Sequence, residues 1–497
     1  MNFSSKKLTI NAISTVFQVG FTGVLYFFLY KYLLENIGAE QLGIWSLILS
    51  FSSIANLANL GFTSGLVKFV AEYLIGDDRT KIGKLIFTST ISMITLFSLL
   101  SVIIILFAEI ILPYVVDENF INIAMNILPY SLASLTINAV GGIFTSVLEG
   151  HQKNYIRNYI FIISGIVMLI LVLFLTPEYN IIGVAIAQLI QSLFILISAI
   201  IFTLKLSQDN NIVNWKWSSQ SFKELFNYGY KFQAISIAQL LCEPTTKILL
   251  SKFGGLAFVG HYEMASKAVN QFRALLVNTN QVVVPVIVQN YKIKTRAQTQ
   301  EFYQKMNKVL LLITVPLSSL FMLAIPLISI IWIGSFNYDF SLSMLILIAS
   351  NLINILCGPA YFSCLAEGRL TILLSIHIGM ALINLILGYL LGNSFYGYGV
   401  VLAWGISIAV SSIILIYSYG SKIKISYIKI FSWNYKLQFV LFCLIYVLCI
   451  FIFRFLNIYW DETKAILLLL LIFLFLPLIL KNEIIKRLIN KRQMIKK

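Results

Sequence analysis

The sequence predicts an all-α integral membrane protein of about fourteen transmembrane helices, built as two pseudo-symmetric six-helix lobes and a C-terminal helix pair. Three observations carry that prediction. Apolar runs long enough to cross a bilayer recur along the chain, basic residues gather on alternate loops, and an internal repeat appears at an offset of 217 residues.

The apolar runs come first. Hydrophobic residues make up 59% of the 497 and charged residues only 11%, with a mean hydropathy of +0.88. A soluble domain carries about 25% charged residues, so an ordinary globular protein is excluded. Spans fall at about 10–33, 42–74, 85–112, 124–149, 157–175, 181–204, 226–251, 258–290, 306–333, 341–366, 371–392, 397–418, 437–457 and 464–480. The polar stretches between them are too short for an extramembrane catalytic domain. Before the first span stand only Lys6 and Lys7, with no short apolar region ending in a small-residue cleavage site. The first span therefore reads as a membrane helix and not as a cleaved signal.

The charge pattern fixes orientation. The net charge of +16 is spread over short loops between spans, which argues against nucleic acid. Alternate loops and the termini on one side hold 27 Lys and Arg residues, and the other side holds four, Lys31, Lys252, Arg454 and Lys464. By the positive-inside rule both termini are cytoplasmic, in a plasma (inner) membrane. A missed or invented span would have scrambled this bias. The tail from Lys481 is basic and reads equally as a topology anchor or as an amphipathic segment drawn to anionic lipid.

The repeat sets the architecture. Residues 37–47 (IGAEQLGIWSL) align with 254–264 (GGLAFVGHYEM), pairing Gly38 with Gly255, Gly43 with Gly260 and Trp45 with Tyr262. LEG at 148–150 pairs with AEG at 366–368, and IGV at 182–184 with YGV at 398–400. A unit of six helices is even, so both copies point the same way, related by an axis along the membrane normal. The expected domains are a first lobe at 1–205, a cytoplasmic linker at 206–225, a second lobe at 226–420, and the last helix pair with its basic tail at 421–497.

Few side chains offer chemistry. His151, His261 and His377 are too scattered for a metal site, and no Walker sequence occurs. The cysteines Cys242, Cys357, Cys364, Cys443 and Cys449 read as small apolar residues, and the pairs Gly141–Gly142 and Gly254–Gly255 as close-packing positions. No cofactor is expected. Intramembrane cations are costly, roughly 2.5–3.5 kcal/mol each at a bilayer centre, unless they face water or a partner. Lys68, Lys231 and Lys247 lie near span ends, where snorkelling competes with a site role. Arg273 lies about 15 residues into its span, ~22 Å deep, beyond easy snorkelling. On the same span Glu263, Lys267, Asn270, Arg273, Asn280 and Gln281 share a sector of about 140°, expected to face an internal cavity. Glu263 and Lys267 can neutralise each other at i,i+4. Arg273 has no such acid, leaving an anionic ligand or a partner on another helix. Asn11, Ser14, Thr15, Gln18 and Thr22 form a polar stripe on the first span, open to sugar contacts or to interhelical hydrogen bonds. Asn56, Asn59 and Thr63 share a face of the second.

The run ENIGAEQLGIWSLILSFSSIANLANLGFTSGLVKFVAEY at 35–73 resembles the second-helix signature of polysaccharide and O-antigen flippases (Wzx-type). These belong to the multidrug/oligosaccharidyl-lipid/polysaccharide (MOP) exporter superfamily. LEGHQKNYIRN at 148–158 and VGHYEMASK at 259–267 are similar to the same family, and the resemblance runs over essentially the whole chain. It implies a MATE-like fold of two lobes alternating between inward-open and outward-open states. It further implies a transporter, not an enzyme, that moves an oligosaccharide on undecaprenyl pyrophosphate, an O-antigen or capsule repeat unit, to the outer leaflet. The binding residues would be Arg273, Lys267, Asn270, Lys68, Lys231, Gln18 and Asn56, with membrane lipids, a polysaccharide polymerase and a chain-length regulator as partners. A lipid II or other cell-wall precursor flippase is the competing reading. A membrane-embedded glycan polymerase is the more distant one, since the outer loops are only about 5–12 residues long. Cation antiporters of the superfamily use acidic residues in the first helix, and this chain has none before Glu35.

Overall fold

The computed structural model describes residues 5–55, 62–75, 78–209, 215–281, 296–367, 369–425 and 433–458, and no strand occurs among them. The α-helices are α1 (Ser5–Ala55), α2 (Phe62–Ile75), α3 (Arg79–Ile111), α4 (Ile121–Gly150), α5 (Asn154–Asp209), α6 (Ser219–Gln281), α7 (Arg296–Leu323), α8 (Ile325–Ile333), α9 (Tyr338–Leu356), α10 (Gly358–Ala366), α11 (Leu370–Ile423) and α12 (Trp433–Ile458). Asn56, Asn59 and the fourteenth predicted span with its basic tail lie outside the described residues.

Four helices are far longer than a membrane is thick: α1 has 51 residues, α5 has 56, α6 has 63 and α11 has 54. At 1.5 Å per residue each would run roughly 75–95 Å, against a hydrocarbon core of about 30 Å. Each is broken midway. Non-helical backbone occurs at Gly38 in α1, Asn180 in α5, Gly255 in α6, and Phe395 and Tyr396 in α11. These are the places where the sequence separates consecutive spans, so each long helix is two spans joined by a one- or two-residue turn.

The breaks also repeat. Gly38 has φ 78°, ψ 171° and Gly255 has φ 80°, ψ 169°, a region essentially restricted to glycine. Asn180 (φ 49°, ψ −134°) and Tyr396 (φ 55°, ψ −144°) match each other in the same way. The sequence repeat is thus a repeat of backbone conformation.

Among the described residues eight helices are long and apolar enough to cross a membrane, some of them counted with their kink partner as one. Their outward faces are apolar too: Leu106, Phe174 and Phe451 are 69%, 72% and 68% exposed. In water such a surface would drive aggregation, whereas in acyl chains it has its natural solvent. The chain is a multi-pass membrane protein.

The described residues fall into two compact units. One comprises Met1–Glu263 with Ala381–Val400, and the other Met264–Met380 with Val401–Lys497. In the first, α5 packs along α4 and α1, and Leu42, Ile44, Leu47, Val147 and Leu148 are fully buried. In the second, α7 packs against α9 and α12 around residues such as Met322, Met344 and Phe453. Cys242, Cys357, Cys364 and Cys449 are buried, as small apolar residues should be, while Cys443 is exposed.

Candidate functional site

Arg273 sits on the later half of α6, beyond the break at Gly255, half-buried within the second unit. Its Nε and Nη2 donate to Asn354 Oδ1 on α9 at 3.1 and 2.9 Å. The Asn354 amide in turn donates to Ser412 Oγ on α11 at 3.1 Å. Three helices thereby orient one guanidinium through neutral groups, and among the described residues no carboxylate pairs with it. A guanidinium has five N–H donors, and one carbonyl oxygen uses only two. The held cation keeps its charge and most of its fork.

The rest of the predicted set is scattered. Asn270 is exposed and donates to Ser266 Oγ at 3.2 Å, and Lys267 is half-buried one turn earlier. Lys68 on α2 is exposed, with its Nζ 4.8 Å from the centre of the Phe69 ring. Lys231 lies on α6, and Asn56 falls outside the described residues. Arg273, Lys267 and Asn270 share one helix face, but Lys68 belongs to the other unit.

The polar stripe of α1 divides in two. Its early part joins helices: Asn11 donates to Gln152 O and accepts from Tyr155 N, while Asn158 on α5 donates to Ser14 and Thr15 at 2.9 and 3.0 Å. Its later part lines a cavity of about 140 Å³, where Gln18, Thr22 and Tyr26 meet Ser164 and Gln191 of α5. Gln18 Nε2 donates to Thr22 Oγ1 at 3.1 Å.

Lys247 and Glu263 require a correction. Its place near a span end left Lys247 open to snorkelling or a site role, and the helix sector set Glu263 towards a cavity with Lys267 as its i,i+4 partner. Instead the Lys247 and Glu263 side chains are each 2% exposed and pair at 2.8 Å. Lys247 also pairs with Glu243 at 2.9 Å, and Glu263 accepts from Tyr30 Oη at 3.1 Å and Ser46 Oγ at 2.9 Å. Snorkelling needs a free path to the headgroups, and packing within the unit closes it. Tyr30 and Ser46 escaped the residue-by-residue reading because neither is charged. The repeat could have found them, since the 217-residue offset carries Tyr30 onto Lys247 and Ser46 onto Glu263.

The repeated LEG and AEG motifs have a structural job as well. Glu149 pairs with Arg157, closing the turn between α4 and α5. The equivalent Glu367, 2% exposed, gathers Lys422, Arg369 at 3.4 Å and the Tyr419 hydroxyl at 3.0 Å. Both glutamates tie a helix end to a neighbouring cation.

Residues 8–291 match the family model described as polysaccharide biosynthesis protein, which covers more than half of the chain. The chain belongs to the polysaccharide biosynthesis protein family. The matched region carries Gln18, Lys247, Glu263 and Arg273. No curated protein matches the sequence. Among solved structures, a multidrug resistance MATE family transporter of the MOP superfamily, in an inward-facing conformation, aligns with TM-score 0.71 at 13% identity, covering 83% of this chain and 98% of that one. The lipid II flippase MurJ, in an inward closed conformation, aligns with TM-score 0.63 at 17% identity, over 91% and 100%. A MOP superfamily transporter from Pyrococcus furiosus aligns with TM-score 0.60 at 14% identity, over 84% and 96%. At such identities the likeness is one of fold: this family member has the MATE and MurJ transporter fold.

Proposed function

We propose that the protein is a flippase that carries an undecaprenyl-pyrophosphate-linked oligosaccharide, an O-antigen or capsule repeat unit, from the cytoplasmic to the outer leaflet by alternating access. Both termini are cytoplasmic on this reading, and the lobes divide at the 206–225 linker. The observation that supports it most is the Arg273 guanidinium, deep in its span and held by the neutral Asn354 amide. A cation kept in a membrane interior without a carboxylate favours an anionic ligand, and the planar fork matches two phosphate oxygens. Membership in the polysaccharide biosynthesis protein family supplies the sugar, and the MurJ-like fold supplies a precedent for a lipid-linked cargo.

Within this reading Arg273 grips the pyrophosphate, and Lys267 and Asn270 on the same face extend the polar track. Gln18 offers its amide to sugar hydroxyls, while Lys68, Lys231 and Asn56 belong to the entry route. The prenyl chain stays in lipid. No chemical step is required of the protein. The test is Arg273→Ala in cells: export of the glycan should fail while the protein inserts at its normal level, and unaltered export would remove the site.

A lipid II flippase is the second reading, favoured by the MurJ-like fold. Expression in one strain lacking glycan repeat-unit export and in another lacking lipid II export separates the two. Rescue of the first strain alone is the expected result.

A further inference from the structure

Tyr30, Ser46, Lys247 and Glu263 form two pairs of repeat equivalents, each separated by 217 residues, and all four meet at one point within the first unit. The seam around them has the same symmetry. A Cβ on Gly43 would lie 2.0 Å from the Leu256 carbonyl oxygen, and a Cβ on Gly260 would lie 2.2 Å from that of Ala39. Gly43 is the repeat equivalent of Gly260 and Ala39 that of Leu256, so the contact is reciprocal, as at a two-fold interface. The span after each glycine break therefore crosses its counterpart at backbone distance, at the end of the spans away from the basic loops. Leu42, Val259 and Leu256 are 0%, 0% and 3% exposed there.

The bonds across this seam are unevenly distributed. Both members of the ion pair belong to the second repeat, as does Glu243 beside Lys247. The Tyr30 and Ser46 hydroxyls donating to Glu263, and Lys247 reaching the Ser46 carbonyl at 3.4 Å, join the repeats here. If the seam parts, Lys247 and Glu263 leave together and no charge is stranded. The first repeat gives up the hydroxyl contacts and the one at the Ser46 carbonyl, neutral groups that water can satisfy. A symmetric ion pair with one charge on each repeat would instead resist opening, because each half would be buried alone.

We propose that Tyr30, Ser46, Lys247 and Glu263 are the latch that closes the outer end of the passage, released by withdrawal of the two hydroxyls from Glu263. The latch rests on the alternating-access reading but not on the identity of the cargo. Its test is cysteine labelling in membrane vesicles, which needs no substrate. A Leu256→Cys reporter is placed in a full-length chain whose five native cysteines are replaced, and a membrane-impermeant thiol reagent is applied from the outer side. In this parent the reporter is protected. Tyr30→Phe with Ser46→Ala removes both hydroxyls and leaves the ion pair, and labelling should quicken on the order of tenfold or more. Folding is checked by size-exclusion behaviour in detergent. A correctly folded Tyr30→Phe/Ser46→Ala protein that labels at the parent rate overturns the latch, and leaves the flippase reading standing if export persists. Should that double variant not fold, Tyr30→Phe alone is read in the same way: faster labelling supports the latch and an unchanged rate overturns it.

Discussion

A cation tethered to an amide differs from one locked to a carboxylate, and Arg273 and Lys247 fall on opposite sides of that line. Arg273 is held by the neutral amide of Asn354, with no carboxylate paired to it among the described residues; Lys247 is neutralised twice over. Replacing Arg273 by Ala should remove a charged hydrogen-bond contact worth about 1.5–3 kcal/mol, a fall of roughly 10–150-fold in transport. Arg273→Lys should lie between, because it retains the charge without the fork. Radiolabelled glycan export read against membrane protein level checks both. Lys247→Ala predicts a different failure. It strands Glu263 in a dry site and should cost about 3–5 kcal/mol of stability, visible as lost protein, whereas Lys247→Met with Glu263→Gln should recover much of it. The position of Arg273 well inside its span was legible because distance along a helix is a linear quantity; its partner Asn354, on another helix, was not. Lys247 was not, because its position near a span end says nothing of the neighbours that bury it.

Four span boundaries among the described residues are set by backbone conformation inside a continuous helix. Gly38 and Gly255 occupy a region that a Cβ disfavours, so Gly38→Ala or Gly255→Ala should each cost about 1–3 kcal/mol. At Gly43 and Gly260 the objection is contact with a facing carbonyl, and Ala at either should cost about 1–3 kcal/mol through forced separation of the helices. Gly20, with nothing within 4 Å, is the control: Gly20→Ala should be neutral or slightly stabilising. Thermal unfolding in detergent ranks the five. The spans and their breaks were legible because apolar length and the glycine offset are both one-dimensional signals. The halves of the α1 stripe were not separable, since hydrogen bonds from Asn158 to Ser14 and Thr15 depend on which helix lies opposite.

At the scale of the whole molecule, the internal repeat meets itself within the first unit through reciprocal glycines and an asymmetric polar cluster. At equivalent positions of the repeat, one copy carries the charges Lys247 and Glu263 and the other the hydroxyls of Tyr30 and Ser46. On the proposed alternating-access reading, that arrangement lets one end open without exposing a lone ion. The basic loops predict that tags at 76–78, 151–153 and the C-terminus report from the cytoplasm, and that a tag near 38 reports from outside, as protease access to right-side-out and inverted vesicles would reveal. The most direct measurement of the central claim is the lipid-linked material in cells depleted of the protein. Undecaprenyl-pyrophosphate oligosaccharide should accumulate in the cytoplasmic leaflet, shielded from a sugar-oxidising reagent added outside. Accumulation of lipid II in its place, or of no lipid-linked sugar at all, would contradict the account.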